Sequence, residues 1–306
     1  MFSYIIKRVL QMIPTLIGVS ILVFILIHSV PGDPARLVAG NDATEEDVAM
    51  VRDRLGLNQP LHVQYGTYVV NLAKGDLGTS LRSNRPVLTE ILTRFPTTIM
   101  LTVMAIIIMI IVGLFAGIFS ATKPNSIRDN ATMMFSLFGI SMPVFWLGLM
   151  LILIFSYYLR ILPSGGSDGF KYFILPALAI GLSSSAILAR LTRSSVLEVI
   201  HQDFVRTARA KGVREKAVIY KHTLKNALIP IITIIGLEFG HLLGGAVLAE
   251  TVFSMNGLGR YVIQSIQFRD YPAIQGTVLF IATIFVIVNL IVDLCYSLVD
   301  PRVRYD

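Results

Sequence analysis

Long apolar stretches without charge recur along the chain, separated by short polar connections and two longer ones. Val9–Val30, Thr97–Ala121, Ala131–Leu159 and Phe173–Ala189 carry no Asp, Glu, Lys or Arg. Asn226–Ala249 carries one acid, Glu238, and Gly276–Val299 carries one, Asp293. A helix needs about 20 apolar residues to cross the hydrocarbon core of a bilayer. The pattern therefore predicts six transmembrane helices. Pro143 is expected to break the third, and Pro176 lies in the first turn of the short fourth. The first stretch is longer than a signal-peptide core, and Val30-Pro31-Gly32 is no small-x-small cleavage site, so it is read as a retained span.

Composition agrees. Of 306 residues, 54% are hydrophobic and only 15% charged, where a soluble domain carries about 25% charged. Mean hydropathy is +0.71. A soluble enzyme, a disulfide scaffold and a disordered chain are excluded together. Cys295 is the only cysteine, so no disulfide forms within the chain. The net charge of +7 would suggest nucleic acid in a soluble protein, but here its distribution follows topology. With the N-terminus inside, the inner segments hold 15 of the 26 Lys and Arg, and the short outer loops hold Arg160, Lys171, Arg260 and Arg269. The other seven lie in 31–96, a segment long enough to escape the positive-inside rule. Both termini are expected in the cytoplasm. The predicted organisation is residues 1–30 with the first span, 31–96 as a periplasmic helical insertion, and 97–306 as a transmembrane core with a cytoplasmic loop at 190–225.

The insertion has its own helix signals. Thr44 caps a helix whose first turn holds Glu45, Glu46 and Asp47, and Gly56 ends it. Pro60 starts a second, Gly75 stops it, and Pro86–Phe95 is expected as a third. The 190–225 loop has nine bases and three acids and is expected to form helix, turn, helix with the break at Gly212. Small residues (Thr207, Ala208, Ala210) before that break would let another protein's cleft approach the backbone. A basic interfacial helix held by anionic lipid is the alternative.

Glu238 lies mid-span, where an ionised acid costs about 3 kcal/mol or more. At 100° per residue Gly236, Gly240 and Gly244 share one face, suited to close helix packing, and Glu238 and His241 lie opposite. Glu238 and His241 either line a translocation path or form a structural pair. Asn289 and Asp293 share a face of the last span, where a structural bond is expected.

At the loop the chain resembles a known family. Permeases of ABC importers carry a cytoplasmic motif, Glu-Ala-Ala, three residues, Gly, nine residues, Ile-x-Leu-Pro. Aligned on Gly212, its positions are Arg206, Thr207 and Ala208, followed by Arg209, Ala210 and Lys211, with His222 and Leu224 downstream. Only the Gly, one Ala and the Leu match the general motif. The run Arg206 to Gly212, then His222-Thr223-Leu224-Lys225-Asn226-Ala227 and Pro230, is similar to the dipeptide, oligopeptide and nickel branch, in its B-type permease. Pro31-Gly32-Asp33-Pro34, Gly75-Asp76-Leu77-Gly78, Gly257-Leu258-Gly259, Arg269-Asp270-Tyr271, Asn289, Asp293 and Asp300-Pro301-Arg302 follow in order. Asn256 departs where Pro is expected. The resemblance implies an all-α polytopic protein with type I ABC importer architecture in the bacterial inner membrane. It implies a paralogous permease partner, two ATPase subunits that bind ATP and Mg2+, and an extracytoplasmic substrate-binding protein. Di- or oligopeptides are the expected solute, with glutathione, nickel or a metal chelate as alternatives. No catalytic residue, metal or cofactor is expected on this chain, which has no Gly-Lys dipeptide for a P-loop. A secondary transporter or channel is the competing class. An intramembrane hydrolase would need a Gly-x-Ser-Gly or His-Glu-x-x-His pattern that the chain lacks.

Overall fold

The computed structural model describes residues 2–29, 32–40 and 42–299, and leaves aside the side chains of 2–9, 37, 229, 241, 245 and 293–299. The side chains of His241 and Asp293 thus lie outside the described residues. Every named element is a helix. α1 (Phe2–Ser29) is followed by α2 (Pro34–Ala39), α3 (Glu45–Arg54) and α4 (Leu61–Ala73). Then come α5 (Val87–Ala121), α6 (Ile127–Ser141) and α7 (Val144–Leu151), which continues into a π-helical turn, Ile152–Tyr158. α8 (Phe170–Ile200), α9 (Asp203–Ala210) and α10 (Glu215–Ala217) lead through a π turn, Val218–Thr223, into α11 (Leu224–Val252). α12 (Leu258–Gln267) and α13 (Tyr271–Val299) complete the order.

Four helices are long and apolar enough to cross a membrane: α1, α5, α8 and α13. Two bent pairs bring the count to six if each is one span. One is α6 with α7 and its π turn, bent 102° at the predicted Pro143 break. The other joins Glu215–Leu228 to Pro230–Gly244 at 56°. Proline explains both breaks, because it removes an amide donor and clashes with the preceding turn.

Proline does not break α5, and this corrects the sequence expectation. Pro86–Phe95 is no separate helix, since α5 runs from Val87 through Pro96 to Ala121. One lost hydrogen bond is outweighed by the helical residues on either side. α8 also outruns its predicted end at Ala189 by eleven residues, so the first part of the expected 190–225 loop is helix. Arginines lower the hydropathy of this stretch, but Arg193 has an ion-pair partner inside the fold.

The helices group into two compact units. The first combines residues up to Pro96 with Asn256–Ile287. Its helix ends follow the local signals. Thr44 Oγ1 accepts from Asp47 N and Asp47 Oδ2 accepts from Thr44 N at 3.0 Å, a reciprocal capping box. Hydrogen bonds from Thr44 hold the Asp47 carboxyl below its ordinary range. Gly56 (φ +67°) and Gly75 (φ +80°) end α3 and α4 in the left-handed region that glycine enters without penalty. The buried carboxylate of Asp270 then ties distant parts of this unit together. It accepts from Ser80 Oγ at 2.5 Å and Leu81 N at 3.0 Å, and from Ala273 N at 3.3 Å in the first turn of α13. Val87, Ile91, Leu258, Tyr261 and Ala273 form an apolar cluster of the same unit.

The second unit combines Thr97–Met255 with residues from Val288 onward. Its core runs along α5 and α8 and includes Leu101, Ala105, Met109, Leu188, Val196, Ile231 and Leu242. α5 and α8 approach too closely for side chains at three glycines. A Cβ on Gly113 would lie 2.8 Å from Leu188, one on Gly117 2.5 Å from Thr192, and one on Gly181 2.7 Å from the Ala105 carbonyl oxygen. Small residues at such crossings let helices pack where lipid gives no hydrophobic drive.

Candidate functional site: the basic turn and the buried acids

α9 is amphipathic in a simple way. Val205 is fully buried and Ala208 nearly so, and both join a core cluster with Val199, Ile200 and Val218. Phe204, Arg206, Thr207, Arg209 and Ala210 point outward, as do Lys211 and Gly212 beyond the helix end. The helix ends in a Schellman turn. Gly212 N donates to Arg209 O at 2.9 Å and Val213 N to Ala208 O at 3.2 Å, while Gly212 takes φ +79°. Val213 packs on the core that contains Ala208, the apolar contact that accompanies this turn. Across the turn Arg209 Nη2 and Nε pair with Glu215 at 2.7 and 3.2 Å. Among the described residues a Cβ built on Gly212 meets nothing within 4 Å. The turn is thus a rigid, exposed knuckle fixed from below.

Ala208 differs from the outward-facing Thr207 and Ala210 in lying against the core. Its side chain seats the turn on the core, because Val205 and Ala208 are three apart and share the buried stripe. His222 and Leu224 are half-buried, and Leu224 packs on the same core. Phe204, 41% exposed, and Tyr220, 54% exposed, are large aromatic rings near this turn in sequence that the motif does not mark. The signal for Phe204 was its offset from the Val205–Ala208 stripe.

Glu238 lies in α11 and is 7% exposed. Among the described residues it has no hydrogen-bond or ion-pair partner. Gly236 sits against α13, where a Cβ would fall 2.2 Å from Val292 Cγ1. Gly240 is half-buried, and a Cβ built on Gly244 meets nothing within 4 Å among the described residues. Asn289 is half-buried in α13.

Two further acids of the second unit are buried. Glu250 is fully buried and accepts from Thr98 Oγ1 at 2.5 Å. It escaped notice because it falls one residue past the predicted span end. Asp129 is 1% exposed and bonds Arg193 through both oxygens, at 2.7 and 2.6 Å. Its partner Arg193 lies in the helical extension of α8 that hydropathy assigns to a loop. Among the described residues no group of three or more His, Cys, Asp or Glu could hold a metal ion.

An all-helical chain with a basic knuckle between its spans matches known proteins throughout its length. Residues 113–305 match the family described as binding-protein-dependent transport system inner membrane component. Residues 1–102 match the N-terminal part of such membrane components. The chain belongs to this family. It is the permease of an ABC importer, a transport subunit and not an enzyme. The permease is 47% identical to the dipeptide transport system permease protein DppB of Alkalihalophilus pseudofirmus, over all of both chains. It is 46% identical to the glutathione transport system permease protein GsiC of Escherichia coli K12, again over all of both. The permease fold is similar to that of a chain in an inward-facing MetNI methionine ABC transporter, with TM-score 0.58 and 18% identity over 68% of this chain and 95% of that one.

Proposed function

We propose that the permease imports small peptides, as half of a pair with a paralogous permease. Two ATPase subunits hold ATP and Mg2+ and drive the pair, and an extracytoplasmic binding protein delivers the solute. The full-length relatives are named for a dipeptide and for glutathione, and both solutes carry peptide-type amides and charged ends. The α9 turn is the ATPase contact. The observation that carries this role is an outward basic face on a helix keyed to the core by Val205 and Ala208. A knuckle of that kind passes a push to the spans without deforming. Arg206, Thr207, Arg209, Ala210, Lys211 and Gly212 form the contact, and Phe204 adds an apolar anchor. Glu238 faces the solute path, with His241 beside it in sequence. Gly236, Gly240, Gly244, Asn289 and Asp293 serve packing between helices.

Both termini and the α9 turn lie in the cytoplasm, and residues 31–96 lie outside as the surface that receives the binding protein. Reporter fusions placed after Asp53 and after Lys216 test this. They are expected to report opposite sides of the membrane, and the same side for both would reject the topology.

A further inference from the structure

We propose that the Asp129–Arg193 pair is a positioning device that makes the spans follow α9. It rests on the reading of α9 as the ATPase contact.

Asp129 stands in the first turn of α6, and its carboxylate is fully engaged. It accepts from Ser120 Oγ at the end of α5 and from Asn125 N in the connection between the two helices, at 2.8 Å. It also accepts from Arg193 Nε and Nη2 at 2.7 and 2.6 Å. Its own amide donates to the capping hydroxyl of Ser126 at 3.3 Å. One buried carboxylate thus joins the end of α5, the start of α6 and the side of α8.

Seven residues beyond Arg193, α8 ends at Ile200, and α9 begins at Asp203. Val199 and Ile200 at the end of α8 share a core cluster with Val205 and Ala208 of α9 and Val218 of the following π turn. α9 packs on that π turn, which in turn packs on α8, so a displacement of α9 reaches α8 through it. There it has two outlets. α8 can slide and tilt alone, or it can carry α5 and α6 with it. Apolar packing sets register by shape alone and can step from one groove to the next. A two-point guanidinium–carboxylate fork fixes both distance and angle. The α8–α5 crossing beside it is already tight, with the position of a Gly117 Cβ only 2.5 Å from Thr192. The fork and the crossing together lock α8 to α5 at the end nearest α9.

Stability alone is a weak reason for such a pair. Buried ion pairs are often no better than apolar replacements, since desolvation offsets their attraction. What the pair adds is direction, and the readout that isolates it is solute moved per ATP. The experiment uses the assembled importer in liposomes, supplied with its binding protein and a labelled dipeptide. Asp129→Asn, Arg193→Lys and the double Asp129→Asn/Arg193→Gln variant are compared with the unaltered complex. The double variant leaves no unpaired charge. Co-purification of the ATPases reports assembly. ATP hydrolysis is expected to continue while solute imported per ATP falls about tenfold, within the reach of coupling mutations.

Gly212→Trp is measured in parallel. If it transports normally, the reading of α9 fails whatever the pair does. If it is inactive and the three pair variants keep the unaltered solute-to-ATP ratio, the positioning proposal alone is overturned. Loss of assembly in all three would place the pair in folding and would overturn it too.

Discussion

Gly212→Trp is expected to abolish uptake while the chain still inserts and still co-purifies with its partner permease. Gly212 takes φ +79°, and a side chain there costs about 1–2 kcal/mol of left-handed strain. That is too little to unfold a protein with two packed cores. Among the described residues a Cβ at this position has no neighbour within 4 Å, so the substitution starts into open space. On the proposed reading the large effect arises in the assembled complex, where an indole on the knuckle would hold the ATPase surface away from Arg206, Arg209 and Lys211. Gly212→Ala separates strain from bulk. It carries the same backbone penalty without the ring and is expected to keep most uptake. Equal and complete losses in both variants would assign the effect to the backbone and remove the docking role from the turn.

Glu238→Gln is expected to change uptake rate or solute preference about tenfold, the scale of one lost hydrogen bond to a charged group. The complex should melt where the unaltered one does. Glu238 is 7% exposed and has no partner among the described residues, so neutralising it breaks no bond seen within this chain. An acid at that depth is costly unless protonated or paired, and a peptide ammonium in transit is one such partner. A structural carboxyl gives the opposite pattern. Glu238→Gln would be nearly silent in uptake, and Glu238→Ala would lower the melting temperature by leaving a bonding group unsatisfied. Melting temperature and vesicle uptake, measured for both variants, decide between them.

The spans were legible because lipid leaves a strong mark: some twenty apolar residues without charge. Their ends were less legible. Hydropathy falls where water begins, but a helix continues wherever packing supports it, as α8 does through Arg190 and Arg193 to Ile200. The turn at Gly212 was legible because only glycine takes its backbone angle cheaply. Which α9 side chains face inward was not legible from the family motif, whose small residues looked alike. The buried stripe of Val205 and Ala208 separates them. Asp129 and Arg193 are 64 positions apart, and no local pattern announces a contact at that separation. Gly113, Gly117 and Gly181 were lost among ordinary span residues, because their role appears only when α5 and α8 cross.

Uptake of a labelled dipeptide into proteoliposomes tests the central claim most directly. The vesicles hold this permease with its partner permease and both ATPases. Binding protein is added on the outer side and ATP is enclosed on the other. The expected result is uptake against a gradient that needs both ATP and binding protein and is absent for this chain alone. Uptake by this chain alone, driven by an ion or solute gradient without ATP, would contradict it.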